Sequence, residues 1–418
     1  MNDVRFDVAW CRSQFPALGR VVGERTAAFF DGPAGTQVPQ VVIESIAKYL
    51  TQCNANHGGR FVTSRESDLW MDEVHQAAAD FLGAEDPATV VFGQNMTSLT
   101  FSLSRALART WNPDDEIVVT RLEHDANFTP WVLAAQDAGV TVQYVDIRES
   151  DCSLDMNEIH DAVRRRPRLL AVGCASNATG TRNPVKEICH MAREHGVTTF
   201  LDAVHFAPHD LIDVQDIDCD FLACSAYKFF GPHQGLLWGR RRLLDEIVPY
   251  KLRPAPNTLP GRWMTGTQNH ECLAGVMAAI DYLAAVGRHE VGDVSLSRRD
   301  ALTVAYSRIV DYERGLVSQL IRGLDEIPDL KIWGVTHVDE LEHRLPTVAF
   351  THPRMMSEQI ATELGKQGFF VWHGNYYALP LTQRIEVEPA GMVRVGIVHY
   401  NTSQEVADLI DATRCLLT

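Results

Sequence analysis

The sequence predicts an α/β protein, with a large domain on a mostly parallel seven-stranded sheet and a smaller C-terminal α/β domain. Three observations carry that expectation. Short β-rich runs alternate with helical patterns between about residues 70 and 240, as a layered α/β domain requires. From about residue 290 onward, helical runs flank two further apolar segments. A lone lysine, Lys228, closes an apolar run and is followed by a Gly/Pro turn, while Asp202 ends another such run about 26 residues earlier.

The expected strands of the large sheet are Thr89 to Phe92, Glu116 to Thr120, Val140 to Asp146, Arg168 to Cys174, Thr198 to Asp202, Asp220 to Cys224 and Gly235 to Trp238. Each is short and rich in β-branched or large apolar residues. Between them, Val74, Ala77, Ala78, Phe81 and Leu82 follow one helical face and Gly83 supplies a stop. Asn183 is expected to cap a helix with Pro184 in its first turn, Ile188, Met191 and Ala192 inward and Gly196 after its end. The Pro-rich stretch Arg253 to Gly261 reads as a loop over the site or a stiff connector. A long helix follows from about Glu271 to Val286. Beyond it, Thr347 to Phe350 and Met392 to Val398 are the expected strands of the smaller domain. The boundaries are 1–50 for an N-terminal segment whose helix, Val38 to Leu50, is expected to pack near the small domain, 51–288 for the large domain and 289–418 for the small one.

At 418 residues with 45% hydrophobic content, the chain can fill substantial cores. A formal charge of −16 argues against general affinity for nucleic acid or anionic lipid. The first residues carry no basic segment leading into an apolar run, and no uninterrupted apolar stretch approaches the length of a bilayer span, so no membrane association and a cytoplasmic location are expected. Nine cysteines without a Cys-x-x-Cys pair read mostly as reduced core residues, and the sixteen histidines show no ligand spacing for a metal.

Lys228 and Asp202 are the residues with chemistry attached. An amine in apolar surroundings is biased toward its neutral, nucleophilic form and can hold the aldehyde of pyridoxal 5'-phosphate as a Schiff base. An aspartate facing the pyridine nitrogen keeps it protonated, so that the ring can accept electrons. Taken singly, a snorkelling lysine and a strand-end aspartate account for the same two residues.

Further stretches stand in a telling order: Glu123-His-Asp-Ala-Asn127, Ser176-Asn-Ala-Thr-Gly-Thr181, Leu201-Asp-Ala-Val-His205, Ser225-Ala-Tyr-Lys-Phe-Phe-Gly-Pro232, Gly266-Thr-Gln-Asn269 and Val393-Arg-Val-Gly-Ile-Val-His-Tyr-Asn-Thr402. In these the chain resembles the class V aminotransferase superfamily, in particular its cysteine desulfurase-like and isopenicillin N epimerase-like branch, over nearly its whole length. The resemblance implies the fold type I architecture of pyridoxal phosphate enzymes, an α-amino acid substrate and a homodimer. It implies that Lys228, His124 and Asp202 are catalytic, with His124 stacked on the pyridine face. Asn177 would bond the phenolic oxygen, Asp202 the ring nitrogen, and His205, standing where desulfurases commonly have glutamine, would approach the same oxygen or the ring edge. Thr267 would reach the neighbouring subunit's phosphate. Arg394 would bind the substrate carboxylate through its two-pronged guanidinium, with His57, Tyr376 and Tyr377 in the same substrate-binding set.

The phosphate is expected where a loop opens into a helix, at Gln94, Asn95 and Met96, because free N–H groups and the helix dipole favour an anion there. Ser225 and Tyr227 lie beside the lysine in sequence. Tyr227 stands where desulfurases usually have histidine, and reads either as a phosphate donor or as a core tyrosine.

Desulfurases of this branch carry a nucleophilic cysteine in a loop of the form Arg-x-Gly-x-His-Cys-Ala. The corresponding stretch, Val371 to Pro380, sets Tyr377 against the cysteine and Trp372 against the arginine. The implied reaction is therefore lyase-type chemistry at Cα or Cβ without a persulfide. Epimerisation, transamination, desulfuration through another thiol such as Cys272, and cofactor binding without turnover are the alternatives. Tyr376, Tyr377 or His373 would supply a second acid or base, or else wall the pocket.

Overall fold

Residues 6–418 are described in the computed structural model; the first five residues of the N-terminal segment lie outside them. The seven expected strands form one sheet: β1 (Val90–Gly93), β2 (Glu116–Thr120), β3 (Thr141–Val145), β4 (Leu169–Gly173), β5 (Thr198–Asp202), β6 (Phe221–Ser225) and β7 (Gly235–Gly239). Their spatial order is β1-β7-β6-β5-β4-β2-β3. Only β7 runs against its neighbours, pairing antiparallel with both β6 and β1; β2 to β6 pair in parallel.

Alternation along the strands fills two cores at once. Val118, Leu170, Val172, Leu201 and Leu222 enter one core, while Ile117, Val119, Leu169, Ala171, Phe200 and Phe221 enter the other. Successive side chains point to opposite faces of a strand, and both faces here are covered by helices. That is why the strands read as continuous apolar runs. Register sets the height of the polar residues that end them: Asp202 pairs across to Gly173 on β4 and Ala223 on β6.

Helix α1 (Gln40–Gln52) lies against α4 (His270–Val291), as does α2 (Val62–Leu82). The expected placement of the Val38 to Leu50 helix near the small domain is thus corrected: Val42 packs with Ala278 and Ala279 of α4. It is Ala28 and Phe30, earlier in the same segment, that enter the core of the smaller unit. Among the described residues, α4 is the one helix long and apolar enough to cross a membrane by length and composition: its 22 residues include a window of mean hydropathy 1.2, which Asp281 interrupts. That window is 72% buried within the protein, among α1, α2 and α5 (Arg298–Asp325).

The second unit is an antiparallel sheet of β8 (Lys331–Trp333), β9 (Thr347–Thr351), β10 (Trp372–Gly374) and β11 (Met392–Gly396), in the order β8-β9-β11-β10. Leu316, Leu320 and Leu324, on the second half of α5, pack into its core with Val348, Phe350, Val393 and Val395. Residues 397 and 398, expected in the last strand, lie beyond its end. Asn183 also departs from expectation. The helix begins at Val185, and the Asn183 amide instead donates to the Gly173 carbonyl at 2.8 Å. A side chain that can satisfy a buried carbonyl at a strand end is drawn there in preference to capping.

The end of β11 holds the N-terminal segment where it enters the large domain. Gly396 N–H donates to Phe30 O at 2.8 Å, and a Cβ on Gly396 would lie 1.8 Å from Pro33 Cδ. Gly396→Ala should therefore force the backbone apart at Pro33 and cost about 1–3 kcal/mol, the usual range for overpacking. A urea unfolding midpoint equal to that of the parent would show that this approach is not tight.

Candidate active site

The carboxyl ends of five strands converge on one cavity, as ligand sites do in open α/β sheets. β1 leads to Gln94, Asn95 and Met96, β2 to His124, β4 to Asn177, β5 ends in Asp202 and leads to His205, and β6 ends in Ser225 and leads to Tyr227 and Lys228. All of these residues line a cavity of about 350 Å³. A second chamber of about 640 Å³ shares Pro33, His124, Asn177, Tyr227 and Lys228 with it, and adds Tyr376, Tyr377 and Arg394.

Lys228 dominates the electrostatics. Burial pulls its amine down to about 7, the nearby Arg394 cation pushes the same way, and Asp202 opposes them. Its Nζ donates to the Pro33 carbonyl. Burial lifts Asp202 to about 6 against a hydrogen bond from Val204 N–H, 2.8 Å from Oδ1, and against the charge of Lys228. At neutral pH the carboxylate is ionised and much of the lysine is free amine.

His124 is held neutral. Burial, then the charges of Lys228 and Arg394, lower it to about 4. Its Nδ1 accepts from Ala126 N–H at 3.0 Å, so the ring carries its proton on Nε2. The loop bearing it is fixed from below by buried Glu123, which accepts from Thr120 Oγ1 and Asn127 Nδ2 at 2.6 Å each and from Gly173 N–H at 3.0 Å. Asn95 caps α3 (Met96–Ala108) through Ser98 N–H at 2.9 Å, with Ser98 returning the contact in a capping box. That geometry aims the first turn's N–H groups toward the cavity; Met96 N–H meets Ser225 Oγ at 3.0 Å.

Arg394 is buried in the sheet of the second unit but opens toward the first. Its Nη1 donates to Asn177 O at 2.8 Å, its guanidinium lies 4.1 Å from the centre of the Tyr376 ring, and its Nε is buried without a partner. The segment Trp372–Tyr377 is strapped across this chamber. Asn177 Nδ2 donates to Tyr376 O at 2.9 Å, Asp125 N–H to Tyr377 O at 2.6 Å, and the Tyr376 hydroxyl to Met392 O. Tyr376 and Tyr377 both adopt φ of 58°, a conformation uncommon for non-glycine residues. Tyr377 is 73% exposed and stacks over His124 with ring centres 5.7 Å apart.

Two expected residues lie elsewhere in the chain. His57 and Thr267 both border a separate cleft of about 930 Å³ beneath the Pro-rich loop, and Thr267 also borders one that reaches Gln94. Cys272 sits in the first turn of α4, its thiol pushed up by burial, and no cysteine among the described residues lines either chamber of the site. Pro33 and Ala34 also line the site, and their sequence signal is the turn Asp31-Gly-Pro-Ala-Gly35 after an apolar run. His233 joins them, its ring stacked on Tyr227 at 4.9 Å.

Residues 28–409 match the family model Aminotransferase class-V. The chain belongs to the class-V aminotransferase family. Members of this family typically use pyridoxal phosphate. Within the family the chain is a cysteine desulfurase-like enzyme. It is 30% identical over 414 residues to a cysteine desulfurase of Pectobacterium carotovorum subsp. carotovorum, spanning 96% of this chain and 95% of that one. It is 28% identical over 428 residues to a probable cysteine desulfurase of Streptomyces coelicolor, spanning 97% and 96%. The fold matches the apo structure of a cysteine desulfurase from Thermococcus onnurineus NA1, with a TM-score of 0.87 at 24% identity over 100% of this chain and 99% of that one. A cysteine desulfurase from Escherichia coli gives 0.83 at 24% identity over 99% and 100%. The expected fold class is borne out: a seven-stranded, mostly parallel sheet of fold type I.

The amine's depressed basicity gives a direct test. Reductive methylation of Lys228 with formaldehyde, followed by peptide mass mapping across pH, should reach half its maximal rate near pH 7. Exposed lysines titrate near about 10.4, and a midpoint there for Lys228 would contradict the burial described.

Proposed function

We propose that this protein is a pyridoxal phosphate-dependent enzyme acting on an α-amino acid, with lyase-type chemistry at Cα or Cβ that does not pass through a cysteine persulfide. The observation that carries the reading is the convergence of Lys228 and Asp202 in one buried cavity that opens to Arg394. The residues present suit the group. A cavity of about 350 Å³ falls at the small end of ordinary cofactor sites, which run from about 300 to 1,000 Å³. It holds a buried amine with a large neutral fraction, and Gln94, Asn95, Met96 and Thr97, where a loop opens into α3, line it on the side that would take a phosphate. Asn177 Oδ1 and His205 Nε2 stand buried without partners beside it.

When bound, the coenzyme supplies an electron sink for a carbanion at the substrate's Cα. The chain does the rest. Lys228 would hold the aldehyde, and its Nζ would be the base for the Cα proton. Asp202 would keep a proton on the ring nitrogen, and the His124 ring, neutral with its proton on Nε2, would lie against the pyridine face. Arg394 fixes the α-carboxylate with the donors that Asn177 leaves free. Tyr376 and Tyr377 close the chamber and limit water.

Tyr377 in this reading takes the position where desulfurase relatives carry their nucleophilic cysteine, and a phenol cannot accept a persulfide sulfur. Among the described residues, the lining of both chambers includes no cysteine, in keeping with that reading. A homodimer with Thr267 reaching the neighbouring site, in the cytoplasm, completes the proposal; Thr267 borders a cleft next to Gln94 rather than its own chain's cavity.

The protein loaded with pyridoxal phosphate should change its visible spectrum with some members of a panel of α-amino acids and release a keto acid and ammonia. With cysteine, mass spectrometry should find no persulfide. A persulfide on any cysteine would instead support desulfuration through another thiol. Deuterium uptake at Cα without product loss would support epimerisation, and conversion of the coenzyme to its amine form would support transamination.

A further inference from the structure

The chamber that opens onto Arg394 carries a carboxylate that the chemistry above does not use. Asp125 follows His124 directly and begins the short turn Asp125–Asn127. It lines the larger chamber and not the smaller cavity. Its backbone is committed on both sides, with the N–H donating to Tyr377 O at 2.6 Å and the carbonyl accepting from Phe128 N–H at 3.1 Å. One contact orients its side chain: Thr129 Oγ1 donates to Oδ1 at 2.9 Å. Among the described residues Asp125 forms no ion pair, and Oδ1 is the only oxygen of its carboxylate that a protein donor meets.

The other charges of the chamber already have work. Its cations are Lys228 and Arg394, of which one would hold the coenzyme and the other the α-carboxylate. Arg394 is turned toward Asn177 O and the Tyr376 ring. Asp125 is the one carboxylate in the lining among the described residues. Beside it stand Phe101 of α3, Trp372 and Tyr377, rings that can cover the methylenes of a long side chain and attract a cation to their faces. A chamber of about 640 Å³ has room for such a side chain.

The charge of the incoming side chain decides which substrates fit. An apolar group would strip water from Asp125 and leave Thr129 alone to compensate the carboxylate, an unfavourable exchange. An anionic group would be repelled. A side chain ending in an ammonium or guanidinium would replace the lost water with a charge-assisted hydrogen bond to Oδ2. The chain's formal charge of −16 also favours the approach of a cation.

We propose that Asp125 selects the substrate: the α-amino acid taken here has a side chain that ends in a cation, and the Asp125 carboxylate receives it. This rests on the reading of the site as one for pyridoxal phosphate and an α-amino acid.

Calorimetric binding to the coenzyme-loaded, full-length protein tests it. The ligands are α-methyl-lysine, whose Cα has no proton to lose, and α-methylnorleucine, which has the same carbon chain without the terminal amine. The parent should bind the first about tenfold more tightly, the least expected of one hydrogen bond to a charged group. An amide keeps the Thr129 contact through its oxygen, so Asp125→Asn removes the charge alone and should bring the two ligands to equal affinity. Equal affinities in the parent, a comparison that needs no variant, or a preference that survives in Asp125→Asn would overturn the proposal. Tighter binding of α-methylnorleucine or α-methylphenylalanine would overturn it while leaving the amino-acid reading in place. If none of these ligands bound the loaded protein, the amino-acid reading would fall and the selection with it.

Discussion

Keeping one lysine out of water beside one aspartate is the constraint around which this molecule is arranged. Lowering an amine from its ordinary value to about 7 corresponds to about 5 kcal/mol of disfavour for the ammonium form, a large fraction of what a domain of ordinary stability has to spare. The fold tolerates it because the groups facing Lys228 compensate in part. Pro33 O accepts from the amine, and Asp202 supplies a countercharge at the next strand end. Neither group is adjacent to Lys228 in sequence, so the basicity of that amine reports on the closure of the whole site.

The two sheets divide the work. The parallel sheet delivers Asp202, Lys228, His124 and Asn177 to one height because strand register is fixed by the two cores on its faces. The antiparallel sheet delivers Arg394 from β11, and the strap beside it on β10. The units meet where Arg394 donates to Asn177 and Asn177 donates to Tyr376. Arg394 and the chamber wall are thereby tied to the loop that faces the cavity.

Much of this was legible in the sequence, for a physical reason. A buried parallel strand needs a continuous apolar run, so a polar residue at its end stands out, and Asp202, Asn177 and Lys228 all sit at or just beyond such ends. Strand boundaries at Glu116–Thr120 and Thr198–Asp202 were readable for the same cause. Features that depend on contacts between distant segments were not. The strap's left-handed tyrosines are stabilised by Asn177 and Asp125, the Val38 to Leu50 helix is placed by the shape of α4, and Asn183 serves a carbonyl ten residues away instead of a helix end. His57 was grouped with the substrate residues, yet it lies in another cleft.

Borohydride reduction of the coenzyme-loaded protein, followed by proteolysis and peptide mass mapping, tests the central claim most directly. A pyridoxyl group is expected on the peptide containing Lys228 and on no other lysine. A modification spread over exposed lysines, or none on Lys228, would contradict it.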